Sequence, residues 1–171
     1  MKIAILGYSG SGKSTLAGQL ADYYHSSVLY LDTVQFLPNW VERDKNESRS
    51  IVSHFMQDNN AWVIDGNYGS FLQKERLEQA DQIIILNFPR RICLYRALKR
   101  YFHNRNRTRV SMAAGCNEKM DREFVWWILH EGRTKKKREH YKEIASSYID
   151  KTVVLKNPEQ VSRFLKQTIS R

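Results

Sequence analysis

The sequence predicts an α/β fold in which a parallel sheet is covered by helices on both faces. Short apolar runs recur along the chain, and segments with helical spacing of apolar residues separate them. Such alternation is typical of a parallel sheet, because each crossover between parallel strands needs a connecting segment that a helix can supply. The chain has 171 residues, 42% of them apolar, which is enough for one domain with its own hydrophobic core.

The strands are predicted by apolar runs that end at glycine, proline or a turn-forming polar residue. The first run has the sequence KIAIL and ends at Gly7, and the most apolar run, QIIILNF, is stopped by Pro89. The predicted strands are residues 2–6, 28–31, 61–64, 82–88 and 152–155.

The helices are predicted by apolar residues that recur every three or four positions. The last predicted helix begins at Pro158, since proline suits the first turn of a helix. Residues 104–119 are polar, contain Gly115 and show little periodicity, so a loop is predicted there. The other predicted helices are residues 14–24, 44–57, 90–102 and 122–148.

The charge of the chain is concentrated in one region. Lysine and arginine number 28 against 18 aspartate and glutamate residues, a formal net charge of +10. Residues 90–142 hold 16 of the basic and 5 of the acidic residues. This excess predicts contact with a polyanion, which could be nucleotide phosphates, nucleic acid or an acidic membrane surface.

Other classes of protein are excluded by count. Two cysteines, Cys93 and Cys116, are too few for a disulfide framework or a four-thiolate zinc site. The apolar run near the N-terminus stops at Gly7, too early for the core of a signal peptide. No apolar stretch approaches the ~18–20 residues that cross a bilayer. The sequence therefore predicts a cytoplasmic protein without a membrane partner.

Residues 7–15, GYSGSGKST, match the phosphate-binding loop pattern G-x-x-x-x-G-K-[ST], the P-loop. Glycines let the backbone turn tightly and direct N–H groups at phosphate oxygens, and the following helix adds its positive end. A chance glycine-rich turn is the alternative, but an apolar strand precedes this motif and a helical pattern follows it. Lys13 is expected to reach the β- and γ-phosphates of ATP, and the Ser14 hydroxyl to bind Mg²⁺. The predicted ATP-binding residues of the loop are Gly7, Ser9, Gly10, Ser11, Gly12, Lys13, Ser14 and Thr15.

Two carboxylates follow predicted strands, where ligands bind to open parallel sheets. Asp32 is a candidate for holding Mg²⁺ or accepting a proton from an attacking hydroxyl, with a turn or helix cap as the alternative. Asp65, Asn67 and Tyr68 are candidates for binding the acceptor, although Asp-Gly-Asn is also a good turn sequence. Asn87 stands where many P-loop enzymes keep an aspartate for Mg²⁺, so Asp32 is the predicted metal ligand beside Ser14.

Arginines dominate the basic region, and their planar guanidinium groups suit phosphate binding and stacking on bases. Arg96 and Arg100 are four residues apart and share one helix face. Arg105, Arg107 and Arg109 lie on the predicted loop, which suits closure over a phosphate. The alternative is a solvated basic face, which explains the run at residues 135–138 at least as well as a nucleic-acid patch does. The predicted catalytic residues are Lys13, Asp32, Arg100, Arg105 and Arg109.

With these residues in view, the chain resembles the adenylate-kinase-like P-loop kinases, and within them the bacterial FlaR-type "DNA topology modulation protein" group. The P-loop motif is shared by very many nucleotide-binding proteins, so other motifs carry the finer resemblance. They are Leu31-Asp32, residues 62–68 (WVIDGNY), Arg107-Thr108-Arg109, Met112-Ala113, Gly115-Cys116, Glu123-Phe124 and Trp127-Ile128.

The resemblance implies a three-layer α/β/α P-loop fold with a five-stranded parallel sheet, in a single domain spanning residues 1–171. It also implies a basic helical lid at about residues 101–135. In this family Arg96 would stack on the ATP base, Arg100 would contact phosphates and Asn157 would border the adenine. Residues 65–69 lack the arginine that grips an acceptor phosphate in nucleoside-monophosphate kinases, which weakens the case for AMP as the acceptor.

The sequence leads to one main hypothesis and two alternatives. The main hypothesis is a kinase that uses ATP and Mg²⁺ to phosphorylate a nucleotide-like or other small-molecule acceptor. The first alternative is an ATP-dependent DNA-binding protein that modulates DNA topology through the basic region 90–142. The second is a protein that binds ATP without transferring phosphate.

Overall fold

A computed structural model of the chain describes residues 1–104, 109–118 and 120–169. Its main sheet has five parallel strands in the order β2-β5-β1-β6-β7, and β3 and β4 form a separate antiparallel hairpin. The predicted five-stranded parallel sheet is therefore confirmed. The strands are β1 (Lys2–Gly7), β2 (Ser27–Tyr30), β3 (Phe36–Leu37), β4 (Val41–Glu42), β5 (Trp62–Asp65), β6 (Gln82–Leu86) and β7 (Thr152–Leu155).

Helices cover both faces of the main sheet. In β1, Ile3 and Ile5 face one hydrophobic core while Ala4 and Leu6 face the other, as alternation along a strand requires. The predicted three-layer α/β/α fold is thus confirmed. None of the helices in the described part of the chain has the length and apolar character needed to cross a membrane. The helices are α1 (Lys13–Tyr24), α2 (Leu31–Gln35), α3 (Lys45–Asp58), α4 (Gln73–Gln79), α5 (Arg90–His103), α6 (Arg122–Leu129), α7 (Lys135–Ser147) and α8 (Pro158–Ile169).

The strand register brings the predicted site residues to one edge of the sheet. Ile5 pairs with Asp65, Tyr30 pairs with Asp65 from the other side, and Gly7 pairs with Leu86. The end of β1 is therefore flanked by the ends of β5 and β6. Since ligands of open parallel sheets bind beyond these carboxyl ends, the fold positions a site there.

The structure differs from the sequence prediction at residues 31 and 32. Leu31 and Asp32 were predicted as the last strand residue and the residue after it, but they form the first turn of α2. Leu31 is fully buried in this turn. An apolar residue at a strand-to-helix junction fits the pattern of a buried strand and also that of a helix. Periodicity therefore could not show to which element Leu31 belongs.

The helix predicted over residues 122–148 is interrupted. His130 has non-helical dihedral angles, and a single 3-10 turn, Glu131–Arg133, separates α6 from α7. A side chain at Gly132 would lie 2.7 Å from the carbonyl oxygen of Trp127, so this turn packs tightly against α6. The Thr134 side chain then accepts a hydrogen bond from Lys137 N–H and caps the new helix.

Candidate active site

A cleft of about 1230 Å³ opens at the carboxyl edge of the sheet. Single-ligand pockets usually measure roughly 300–1,000 Å³, so the cleft has room for two ligands side by side. Gly7, Ser11 and Asn157 do not line it, and Arg105 and Arg107 lie outside the described residues. The predicted residues that line it are Ser9, Gly10, Gly12, Lys13, Ser14, Thr15, Asp32, Asp65, Asn67, Tyr68, Arg96, Arg100 and Arg109.

The P-loop requires glycine for conformation and for packing. Gly10 and Gly12 have φ angles of 80° and 96°, in the left-handed region that other residues rarely adopt. A side chain at Gly10 would lie 2.3 Å from the Cys93 carbonyl oxygen, and one at Gly12 would lie 2.5 Å from the Arg96 guanidinium. The P-loop therefore packs so closely against α5 that neither glycine position has space for a side chain.

The start of α1 offers unpaired N–H groups to the cleft. Gly12 precedes the helix and no side chain caps it, so backbone donors of the first turn lack a side-chain acceptor. The Lys13 ammonium lies 3.4 Å from the Tyr8 carbonyl oxygen, a weak contact within the loop. These donors and this cation are the groups that a phosphate needs at a helix N-terminus.

Asp65 lies directly against the P-loop. The Ser14 hydroxyl donates a 2.6 Å hydrogen bond to Asp65 Oδ2, while Asp65 Oδ1 is buried without a hydrogen-bond partner. Burial raises the pKa of Asp65 to about 6, although the Lys13 charge and the Ser14 hydrogen bond oppose the rise. A hydroxyl and an unsatisfied buried carboxylate oxygen are the hard oxygen donors that Mg²⁺ prefers, so these residues fit the metal.

Asp32 has a different partner. The Tyr68 hydroxyl donates a 2.7 Å hydrogen bond to Asp32 Oδ1. Burial raises the pKa of Tyr68 strongly, and the negative charge of Asp32 raises it further. The Ser14 hydroxyl is thus bonded to Asp65 and not to Asp32, the carboxylate that the sequence paired with it.

Asn67 binds the P-loop itself. Its Oδ1 accepts a hydrogen bond of 2.9 Å from the Gly7 N–H, and its Nδ2 donates one of 2.7 Å to the Gly7 carbonyl. Both polar groups of the side-chain amide are therefore engaged with one residue. Gln73 in turn donates to the Asn67 carbonyl at 3.2 Å, and His140 lies 2.8 Å from Gln73 Oε1. The structure gives Asn67 a positioning role that the sequence did not indicate.

A buried arginine holds the segment that carries Asn67 and Tyr68. Arg76 is fully buried, and its guanidinium donates to the carbonyl groups of Gly66, Tyr68 and Phe71 at 2.8–3.3 Å. Burial lowers the pKa of Arg76 to about 10. Arginine is rarely buried unless it is hydrogen-bonded, and here each of its three side-chain nitrogens donates to a carbonyl group. No pattern in the sequence marked this residue.

Arg100 and Arg109 are brought together by Glu118. Arg100 Nε lies 3.0 Å from Glu118 Oε1, and Arg109 pairs with the same oxygen. The Glu118 side chain is only 5% exposed, and Arg109 also donates to the Ser111 hydroxyl at 3.2 Å. Burial and the neighbouring Arg109 charge lower the pKa of Arg100, and Glu118 opposes this effect. The sequence singled out both arginines but not the glutamate that pairs with them.

Arg96 lies against the P-loop, whereas Asn157 lies at the start of α8. The Arg96 guanidinium is 6.0 Å from the centroid of the Phe88 ring and packs against Gly12. Asn157 Oδ1 accepts a hydrogen bond of 2.9 Å from Gln160 N–H and so caps the first turn of α8. A smaller cavity of about 180 Å³ is lined by Thr15, Arg96 and the start of α8 at Pro158.

Comparison of the sequence with known proteins gives a partial match. No protein-family model matches the sequence. A 56-residue segment is 41% identical to a probable thymidylate kinase of Picrophilus torridus, and it spans 33% of this chain but only 28% of that protein.

Solved structures of kinases share the fold over the whole chain. Deoxyadenosine kinase from M. mycoides with bound dATP has a TM-score of 0.58 and 17% identity, covering 99% of this chain and 96% of that one. Shikimate kinase from Bacteroides thetaiotaomicron has a TM-score of 0.53 and 15% identity, covering 99% of this chain and 97% of that one. The chain therefore has the α/β fold of the P-loop kinases, with the P-loop at the carboxyl end of its first strand.

Proposed function

We propose that this protein is an ATP-dependent kinase that transfers the γ-phosphoryl group of ATP to a nucleotide-like or other small-molecule acceptor. The observation that carries the proposal is the contact between Ser14 of the P-loop and Asp65, inside a cleft with room for two ligands. A P-loop supplies the phosphate contacts, and a strand-end carboxylate beside it supplies the metal ligand that phosphoryl transfer requires.

ATP binds with its triphosphate on residues 7–15. The N–H groups of the loop and Lys13 bind the phosphates, while Thr15 and Arg96 border the smaller cavity on the side of the base. Ser14 and Asp65 would hold Mg²⁺, which neutralises phosphate charge when bound. Asp32, which the sequence predicts as a metal ligand, accepts a hydrogen bond from Tyr68 at one carboxylate oxygen, and in this proposal it serves the acceptor.

Transfer takes place between this donor site and the acceptor. The acceptor hydroxyl oxygen forms a bond to the γ-phosphorus while the bond from that phosphorus to the β–γ bridging oxygen breaks, and ADP leaves. The hydroxyl proton passes to the Asp32 carboxylate, which acts as the general base. Arg100 and Arg109 stabilise the charge that develops on the transferred group. Residues 101–135 form the lid in this proposal.

The structural neighbours support a small-molecule acceptor. They are kinases named for deoxyadenosine and shikimate, and the curated relative is a probable thymidylate kinase. The finer resemblance to the topology modulation group depends on sequence motifs alone. Arginines of the basic region contact the cleft's own residues, which supports nucleotide binding over a DNA-binding surface; these are Arg96, Arg100, Arg109 and Arg133.

The direct test is transfer from γ-labelled ATP with Mg²⁺ to a panel of nucleosides, nucleoside monophosphates and small hydroxylated metabolites. The Lys13→Ala protein is the control, because it lacks the cation that binds the phosphates. We expect a labelled product with the wild-type protein alone. ATP binding without any labelled product would contradict the kinase proposal, and a salt series of DNA binding would then test the alternative.

A further inference from the structure

We propose that the acceptor is an uncharged hydroxyl compound with a flat ring, such as a nucleoside, and that the site discriminates against acceptors that carry a phosphate or carboxylate group. This inference rests on the proposed kinase function and names its substrate class. It is carried by the charge and the aromatic lining of the end of the cleft beyond Asp65. We call this region, lined by Asp32, Phe36, Trp40, Glu42, Tyr68 and Met112, the acceptor end.

The acceptor end is negatively charged. Asp32 is bonded to the Tyr68 hydroxyl, and Glu42 lies close enough for its charge to oppose ionisation of the same hydroxyl. Asp65 is a third nearby carboxylate, but in the proposed function it holds Mg²⁺, so Asp32 and Glu42 carry the repulsion. Like charges a few ångströms apart repel each other at a partly buried site. An anionic group on the acceptor would therefore meet strong repulsion here.

The nearby cations are already engaged. Lys13 belongs to the proposed phosphate site for ATP, and the buried Arg76 is bonded to three backbone carbonyl groups. The charges of Arg109 and Arg100 act on Asp65 and Asp32, respectively. Both pair with Glu118, so their combined charge is partly neutralised before any ligand binds. In this proposal the remaining positive charge of the two arginines stabilises the phosphoryl group in transfer. Little positive charge then remains to bind a second anionic group on the acceptor.

Aromatic side chains supply the ring-binding surface. Phe36 and Trp40 meet edge to face with centroids 5.2 Å apart, and Tyr68 is stacked on Phe71 at 4.9 Å. Phe36, Trp40 and Tyr68 are only partly buried, and all three line the cleft. A flat ring can pack on such faces and bury apolar area, as the bases of nucleosides do.

The aromatic wall is fixed by the segment opposite. The backbone N–H of Trp40 donates to Cys116 Sγ at 3.3 Å, and the Cys116 thiol donates to the Leu37 carbonyl at 3.5 Å. Met112 of the same segment is buried and lines the acceptor end. The hairpin β3–β4 and residues 109–118 are thus joined around the position of the ring, which is a preformed site.

Matched pairs of ligands test the inference. The four 2′-deoxynucleosides and their 5′-monophosphates differ only in the charged group, and shikimate adds a carboxylate acceptor. Binding is measured by calorimetry in the presence of ADP and Mg²⁺, and transfer with γ-labelled ATP. We expect at least one nucleoside to bind about tenfold more tightly than its monophosphate and to be phosphorylated faster. The inference would be overturned if the monophosphates or shikimate bound at least as tightly as the nucleosides and were phosphorylated faster than they are. That outcome would leave the kinase function intact.

A charge reversal separates this inference from general loss of activity. Glu42→Lys changes an exposed residue of the acceptor end and should narrow the preference for nucleoside over monophosphate by about tenfold. Glu159→Lys on α8 makes the same change of charge on a side chain that is 82% exposed and lies outside the cleft. This variant should therefore keep the wild-type preference for nucleoside over monophosphate. An unchanged preference in Glu42→Lys would overturn the inference. No transfer to any acceptor, with nucleosides still bound, would overturn the kinase function instead.

Discussion

The Ser14 hydroxyl and the Asp65 carboxylate are joined by a 2.6 Å hydrogen bond across 51 residues of sequence. This contact links the P-loop motif to the end of β5, the strand beside β1. It leaves the second Asp65 oxygen buried and without a hydrogen-bond partner. The pair therefore forms the part of the cleft most suited to a cation, and the carboxylate is poorly solvated when no cation is present.

Asp65→Asn should stabilise the protein at neutral pH in the absence of Mg²⁺. Burial raises the pKa of Asp65 to about 6, so the folded state binds the proton more tightly than the unfolded chain does. This contribution to stability is complete below the unfolded pKa of roughly 4 and is lost as pH rises through 6. From pH 4 to 7 the wild type should lose about 2–3 kcal/mol relative to the variant. Urea unfolding at both pH values measures this, and parallel pH profiles would contradict it.

Binding of Mg²⁺ with ATP should weaken in acid for the same reason. Protons compete with the metal for Asp65, so the affinity should fall roughly tenfold per pH unit below about 6. The Asp65→Asn protein should bind Mg²⁺ with ATP weakly and with a flat pH profile over this range. Calorimetry with MgATP from pH 5 to 8 distinguishes the two proteins, provided that the titration of ATP itself is subtracted. A wild-type profile identical to that of the variant would remove Asp65 from the metal site.

The sequence predicted the parts of the site that depend on local pattern. Residues 7–15 match a motif whose spacing reflects backbone geometry, and the position of Asp65 follows from the apolar strand before it. Contacts between segments that are distant in sequence could not be predicted from local patterns. Asn67 binds Gly7 across 60 residues, and Glu118 reaches Arg100 from a loop without periodicity. The hydrogen-bond partner of each polar group depends on the order of the strands and the path of the loops. The spacing of residues along the chain predicts neither of these.

Asn67→Ala should weaken ATP binding by about tenfold or more. The amide satisfies both backbone groups of Gly7, so its loss leaves them unpaired and loosens the start of the P-loop. Asn87→Ala is the matched control, because this exposed side chain lies outside the cleft. Calorimetric titration with ATP gives both affinities. If the two variants bound ATP equally well, Asn67 would have no role in positioning the loop.

Glu118→Gln should lower the rate of transfer more than it lowers ATP affinity. Glutamine keeps the size of the side chain but removes the charge that pairs with Arg100 and Arg109, so the two cations repel each other and move apart. We expect kcat to fall about tenfold or more while the Kd for ATP changes less than about threefold. Glu131→Gln, an exposed residue that lines the same cleft, serves as the control. Equal kcat values for the two variants would show that the pairing is not needed for transfer.

Arg76→Met should destabilise the protein by about 3–5 kcal/mol, since three buried carbonyl groups lose the guanidinium that satisfies them. Lys74→Met on the same helix changes a side chain that is 81% exposed, so its free energy of unfolding should change by less than about 1 kcal/mol. Thermal unfolding of both variants measures the difference. Because Arg76 also fixes the segment that carries Asn67 and Tyr68, the folded fraction of Arg76→Met should bind ATP more weakly than Lys74→Met does. Loss of stability with unchanged ATP affinity would mean that the P-loop keeps its shape without this support.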